Sequence, residues 1–261
     1  MSGVGPILLV GCGKMGGALR SGWLEAGRVV VVVEPGANAP EGALPSPDAL
    51  PPDLAPLAVV FAVKPQEADR VLPLYARFAE SSVFLSIMAG RTIAGMRGLL
   101  GGRAAVVRAM PNLPASIRRG VTVACAGPSV TEAERGLCDE LLKAIGTVGW
   151  IEDEELLDAV TAVSGSGPAY VFLLAELMEA AGRALGLAPD LARTLARETV
   201  AGSGALLASS EQDAADLRRA VTSPGGTTAA ALSVLMAEGA WPKSVAEAIA
   251  AAAARSRELA G

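Results

Sequence analysis

The stretch Ile7-Leu8-Leu9-Val10-Gly11-Cys12-Gly13-Lys14-Met15-Gly16 decides the fold. Ile7–Val10 reads as a strand that ends in glycines, and Lys14–Ala26 reads as a helix. Between them Gly11, Cys12, Gly13, Lys14, Met15 and Gly16 spell G-x-G-x-x-G, after a strand and at the opening of a helix, where that pattern has a physical meaning. The first glycine makes a tight turn, the second lets backbone approach a pyrophosphate, and the third lets helix and strand pack closely. The helix start adds free N–H groups and the positive end of the helix dipole. A glycine-rich turn that holds no ligand has the same letters, so the flanking sequence must supply the context.

Outward from this turn, short apolar runs alternate with helical stretches. Val29–Val33 is β-branched throughout and too short for a helix. Ala58–Val63, Val83–Ile87, Ala104–Val107 and Val121–Cys125 continue the strand series, with helices expected at Gln66–Ala79, Ile93–Leu100 and Thr131–Ile145. Strands apolar on both faces and separated by helices predict a parallel sheet covered on both sides, an α/β Rossmann-type dinucleotide-binding domain over residues 1–151. Pro35–Pro56 carries Pro40, Pro45, Pro47, Pro51 and Pro52 between its ends and is expected to be mostly irregular.

After Glu152 the strand signal stops. Ala169–Gly186, Pro189–Leu207, Asp213–Val221, Thr227–Glu238 and Pro242–Leu259 read as helices, an all-α domain over 152–261. Most of its core positions other than leucine are Ala or Gly, so it buries little area by itself. A partner subunit would supply the missing burial.

The chain has 261 residues, room for one large domain or two smaller ones at about 100–200 residues each. Its net charge of −5 argues against binding nucleic acid by bulk charge. It has no histidine, which excludes a histidine base, a Ser-His-Asp triad and histidine-ligated metals. Cys12, Cys125 and Cys138 are far apart and form no CxxC pair, so neither disulfides nor a metal site is expected. Residues 1–6 lack the charged start of a signal peptide, and no apolar run approaches the ~18–20 residues of a membrane span. The expectation is a soluble, globular, cytoplasmic protein with no membrane or nucleic-acid partner.

Glu34 ends the second strand, roughly 20 residues beyond the first glycine, where a carboxylate commonly accepts from a ribose 2′-hydroxyl and repels a 2′-phosphate. It could equally be a solvated loop acid before Pro35. The next arginine in sequence is Arg70, which the fold of the proline-rich segment could bring towards the site to offset that repulsion. Val63-Lys64-Pro65-Gln66, Ser86-Ile87-Met88-Ala89-Gly90 and Met110-Pro111-Asn112 follow successive strands, at the edge where such sheets bind ligands. In the helical half, Ser164–Tyr170 reads SGSGPAY, a hinge with proline in the first turn of the new helix. Ser223–Thr228 reads SPGGTT, a helix start with consecutive glycines whose free N–H groups suit a carboxylate.

Taken in order, GCGKMG, VKPQ, SIMAG, RAMPN, SGSGPAY and VTSPGGTT resemble pyrroline-5-carboxylate reductase over essentially the whole chain. The resemblance implies NAD(P)H-dependent reduction of 1-pyrroline-5-carboxylate to L-proline, the last step of proline biosynthesis, by direct hydride transfer to the cyclic imine. It implies cofactor contacts at Gly11–Gly16, at Ala62, Val63, Lys64 and Pro65, and at Met88, Ala89 and Gly90. It places substrate at Gly225, Gly226, Thr227 and Thr228, with Thr228 the catalytic positioning group and Glu211 reaching the ring from another subunit. It further implies an intertwined homodimer, with a decamer as the larger ring such dimers build. This chain departs from many relatives at Ala220, where they carry a polar residue, and at Glu34-Pro35-Gly36, where they carry a small polar residue and a base. Glu34 therefore favours NADH over NADPH. Two rival readings are a hydroxyacid dehydrogenase and a non-catalytic nucleotide sensor. The first wants a lysine in the helical domain, where this chain has only Lys243.

Overall fold

β1 (Ile7–Val10) is buried on both faces, as an unbroken apolar strand between two helical layers must be. It is followed by α1 (Lys14–Glu25), β2 (Val30–Val33), β3 (Ala58–Phe61), α2 (Ala68–Val71), β4 (Val83–Ser86), α3 (Ile93–Leu100), β5 (Val106–Met110), β6 (Gly120–Ala126), α4 (Glu132–Lys143) and β7 (Gly146–Ile151). The seven strands form one sheet in the order β2-β1-β3-β4-β5-β6-β7. This computed structural model describes residues 5–260. It divides into two compact units. One runs to Gly165 and takes back the chain from Ala252 onward; the other is Ser166–Ala251.

The expected all-parallel sheet holds only as far as β5. β6 runs antiparallel to β5, and β7 runs parallel to β6. Only a short 3₁₀ turn, Leu113–Ile117, joins β5 to β6. A parallel crossover needs a dozen or more residues, so the chain must double back. β7 carries Gly146 and Gly149 and is half-exposed along its length, which hid it among the strand signals. The helix expected over Gln66–Ala79 is likewise broken into a 3₁₀ turn at Pro65–Glu67, the single turn of α2, and 3₁₀ structure over Leu72–Phe78. Pro73 has no N–H to continue an α-helix. Between Pro35 and Pro56 the backbone is irregular, apart from a 3₁₀ turn at Pro47–Ala49 and one bridge from Leu44 to Val33 beside β2.

The sheet separates two apolar layers. Leu8 and Val10 face one with Phe61, Tyr75 and Phe84, while Ile7 and Leu9 face the other with Leu19, Trp23 and Leu141. The few aromatics are concentrated here. Phe61 meets Tyr75 edge-on with centroids 5.6 Å apart and stacks on Phe84 at 5.8 Å. The Trp23 indole N–H donates to the Leu141 carbonyl at 2.8 Å, which satisfies the one polar atom that burial strands.

The remaining helices are α5 (Leu156–Val160), α6 (Gly167–Ala184), α7 (Pro189–Ser209), α8 (Ala214–Ala220), α9 (Thr227–Leu235) and α10 (Trp241–Ala260), with a π-helical turn at Thr161–Gly165. In α6 to α9 the buried side chains are Ala192 and Ala196. Phe172, Leu173, Leu177, Leu191, Leu195 and Leu206 are all about half exposed or more. The helical run Leu156–Ala184, which contains an 18-residue window of mean hydropathy 1.3, is long and apolar enough by length and composition to cross a membrane. It is not a continuous apolar run: Asp158, the small and polar residues Ser164–Pro168, Glu176 and Glu179 interrupt it.

Candidate active site

The glycine turn sorts its three glycines by what surrounds them. Gly11 has φ +88°, and a Cβ there would sit 2.8 Å from the Ala62 carbonyl. A Cβ on Gly16 would come within 2.5 Å of the Gly11 carbonyl oxygen. Gly13 has an ordinary φ of −67° and is exposed, and a Cβ on it would meet nothing within 4 Å. The protein's own packing thus requires the first and third glycines, whereas the second borders open space. α1 has no side-chain cap and no acid in its first turn, so its leading N–H groups remain available to an anion. Lys14 is exposed and Met15 half-buried at the same helix start.

A cleft of ≈ 360 Å³ opens beside this turn and collects Gly11, Gly13, Glu34, Ala62, Val63 and Lys64 from the expected set. Glu34 is held in place by backbone. Its Oε2 accepts from the Cys12 N–H at 2.7 Å and its Oε1 from the Gly36 N–H at 2.8 Å. The proline-rich segment folds against β2 and forms another wall. The Glu34 N–H donates to the Leu44 carbonyl at 3.0 Å, and Pro45, Ser46 and Pro47 line the cleft. Glu67, Arg70 and Tyr75 complete it. Burial pushes the Tyr75 phenol well above its ordinary range, so it stays neutral. Burial also raises the Cys12 thiol; Arg20 opposes this, Glu34 adds to it, and the net shift is upward. Cys12 therefore remains a thiol at neutral pH and is a poor nucleophile.

The two neighbouring strand-end turns are tied together. Pro65 opens its 3₁₀ turn at the first position. Gly90 takes φ +69° and the Met88 N–H donates to the Ser86 hydroxyl at 3.2 Å, while Ala89 is exposed. Met88, Ala89 and Gly90 do not line the Glu34 cleft; Gly90 borders a separate depression with Pro65 and Arg91. Arg91 donates to the Pro65 carbonyl at 2.9 Å and forms a bidentate pair with Asp69 at 3.0 and 3.1 Å. Glu154 accepts through one oxygen from the Ile93 N–H at the start of α3 and from the buried Arg108 guanidinium, each at 2.8 Å. Tyr75, Arg91 and Glu154 belong to no motif. Only the position of Arg91 directly after the Gly90 turn offered a local sign of its role.

The expected substrate residues lie in the other unit. Gly225 has φ +69°, and Gly226 begins α9 with no side-chain cap. A Cβ on Gly226 would lie 2.5 Å from the Ser223 hydroxyl, while one on Gly225 would meet nothing within 4 Å. Thr227 is exposed and Thr228 half-buried on the first turn. Glu211 is exposed between α7 and α8, and among the described residues no hydrogen bond joins it to Thr227 or Thr228. A carboxylate could be received at the uncapped α9 start, where the hydroxyl of Thr228 offers one more donor and acceptor.

A family model described as pyrroline-5-carboxylate reductase dimerisation matches residues 154–259. A pyrroline-5-carboxylate reductase of Mycobacterium tuberculosis is 39% identical, covering 98% of this chain and 97% of the relative. One from Pseudomonas aeruginosa is 43% identical over 77% of this chain and 74% of its own. Among solved structures, a pyrroline-5-carboxylate reductase from Coxiella burnetii superposes with TM-score 0.90 at 29% identity, covering 99% of this chain and 100% of that one. A Plasmodium falciparum pyrroline carboxylate reductase with NADP bound superposes with TM-score 0.84 at 28% identity, covering 100% of both chains.

Proposed function

The chain belongs to the pyrroline-5-carboxylate reductase family, and from that membership we infer its reaction, the NAD(P)H-dependent reduction of 1-pyrroline-5-carboxylate to L-proline. The observation that carries this reading is the whole-chain likeness to a relative 39% identical over 98% of the chain. The reaction closes proline biosynthesis. It needs no histidine, because a cyclic imine is basic enough to be protonated before it is reduced.

The residues present fit a dinucleotide. Open space at Gly13 admits a pyrophosphate to the backbone, and the uncapped start of α1 faces it with N–H groups. Gly11 to Gly16 would hold the pyrophosphate, Glu34 the adenosine ribose, and residues 62–65 and 88–90 the remainder. When bound, the reduced nicotinamide supplies the hydride. Each carboxylate oxygen of Glu34 accepts one backbone N–H and keeps a lone pair for a ribose hydroxyl. This supports the reading that NADH is preferred to NADPH, although a relative has been solved with NADP.

On the substrate side, the N–H groups of residues 225–228 would fix the carboxylate and the Thr228 hydroxyl would hydrogen-bond the ring nitrogen. Thr228 would orient the imine for hydride acceptance, the positioning such a transfer depends on. Glu211 would reach the ring from a second copy. The match to a dimerisation family marks the protein as a homo-oligomer. An intertwined dimer, assembled further into a decamer, is the form we propose. The apolar side chains left exposed on α6 and α7 are the surface such a dimer would cover, which also accounts for the apolar composition of Leu156–Ala184 without a bilayer. Three free cysteines suit a reducing cytoplasm. The test is oxidation of reduced cofactor driven by 1-pyrroline-5-carboxylate, with proline identified as the product. Cofactor oxidation that ignores the imine would overturn the reading.

A further inference from the structure

Glu34 shares its cleft with an arginine that is far from it in sequence. Arg70 sits on the single turn of α2 and lines the same cleft as Gly13, Glu34 and Lys64. Its side chain is 72% exposed, and its ion-pair partner is Glu67, one turn earlier, at 3.2 Å. Glu67 is itself 46% exposed and lines the cleft too. Exposed pairs of this kind are weak and readily exchanged. The cleft thus carries two carboxylates, Glu34 and Glu67, against two cations, Lys64 and Arg70.

A dinucleotide without a 2′-phosphate fits this neutral balance, because its pyrophosphate goes to the start of α1. A 2′-phosphate adds nearly two negative charges on the ribose beside Glu34. Of the two cations, the guanidinium of Arg70 has the fork geometry that receives phosphate oxygens in pairs.

Resting on the reading that this cleft holds the adenosine end of the cofactor, we propose that Arg70 is a second specificity determinant. It leaves Glu67 to meet the 2′-phosphate and so preserves the use of NADPH that Glu34 opposes. Glu34 and Arg70 act as an opposed pair, and Glu67 holds Arg70 back when NADH is bound.

The experiment is direct binding without imine. NADH and NADPH are titrated by fluorescence, and 5′-ADP and 2′,5′-ADP by calorimetry. The proteins are wild type, Arg70→Ala, Arg70→Lys, Glu67→Gln and Glu34→Ser. Arg70→Ala should raise the NADPH-to-NADH ratio of Kd about ten-fold, the loss of one charge-assisted contact, with the same change in the two ADP ligands. Arg70→Lys should recover part of it. Glu67→Gln should lower the NADPH Kd about two- to three-fold by freeing Arg70 and removing a charge. If Glu34→Ser shifts the ratio while Arg70→Ala does not, Arg70 is no determinant and the cleft reading stands. If neither substitution alters the binding of any of the four ligands, the adenosine end lies elsewhere and both readings fall.

Discussion

Gly13 and Gly16 are three residues apart in one turn, and replacing each by alanine should produce opposite failures. At Gly13 the backbone already has φ −67°, and the new methyl would meet no protein atom within 4 Å. Stability should stay within about 1 kcal/mol of wild type, since the entropy removed from the unfolded chain offsets a slightly poorer helix cap. The methyl would instead stand where a pyrophosphate must approach. Losing one charge-assisted bond from a backbone N–H costs about 1.5–3 kcal/mol, a rise in cofactor Kd of roughly 10–150-fold. At Gly16 the methyl would lie 2.5 Å from the Gly11 carbonyl oxygen and 3.1 Å from the Ala62 Cβ. Backbone must move to admit it, at about 1–3 kcal/mol, or a fall of roughly 2–12 °C in Tm for a chain of this size. Thermal melts and fluorescence titrations with both reduced cofactors separate the two outcomes. Wild-type affinity in Gly13→Ala would refute the claim that the pyrophosphate rests on this backbone. An unchanged Tm in Gly16→Ala would refute the packing argument.

Thr228→Ala should lower kcat/KM roughly 10–1,000-fold, about 1.4–4 kcal/mol of transition-state positioning, with little change in cofactor Kd; near wild-type turnover would remove Thr228 from the mechanism. Wild type should favour NADH by roughly 10–100-fold in kcat/KM, from repulsion of the 2′-phosphate by Glu34 and a lost hydroxyl bond, and Glu34→Ser should erode that ratio. A wild type that prefers NADPH would sink this assignment. Partial burial raises the Asp139 carboxyl, but bonds from Lys143 and Trp150 outweigh it and hold it below the usual aspartate range. The stabilisation it confers is complete above the unfolded aspartate pKa and is lost as pH falls through the depressed folded value. Asp139→Asn should therefore destabilise by about 1 kcal/mol near pH 7, and the gap in Tm should close in strong acid; a gap that persists there contradicts the assignment. Sedimentation at micromolar concentration should show dimers or larger assemblies, and an active folded monomer would count against the shared site.

Local signals carried β1, the glycine turn and α3, because each depends on neighbours within a few residues. The direction of β6 was not legible in the same way. Val121–Cys125 reads as a strand whichever way it runs, and only the short link from Met110 to Gly120 decides the reversal. β7 escaped because Gly146 and Gly149 weaken its pattern. Within the cleft, Glu34 could be found by its distance from Gly11, as the fingerprint sets that spacing. Arg70 could be named only as an arginine that folding of the proline-rich segment could bring in, and Tyr75 and the Leu44 bridge not at all, because that segment and a helix broken at Pro73 bring them there. The tie from Glu154 to Ile93 and Arg108 joins three separate elements, and no local pattern marks it.

The second unit leaves two alanines as the buried side chains of α6 to α9 while its leucines face outward. If a second copy covers those leucines, as proposed above, folding of that half is a matter of mass action as well as of sequence. Each tenfold dilution of a chain that is dry only when paired withdraws about 1.4 kcal/mol from the assembled state. The sheet unit, by contrast, fills its two apolar layers from its own side chains. On the proposed pairing, expression level becomes a variable of the enzyme's integrity: in a cell that makes too little of it, the helical half would be the part still waiting for its second copy.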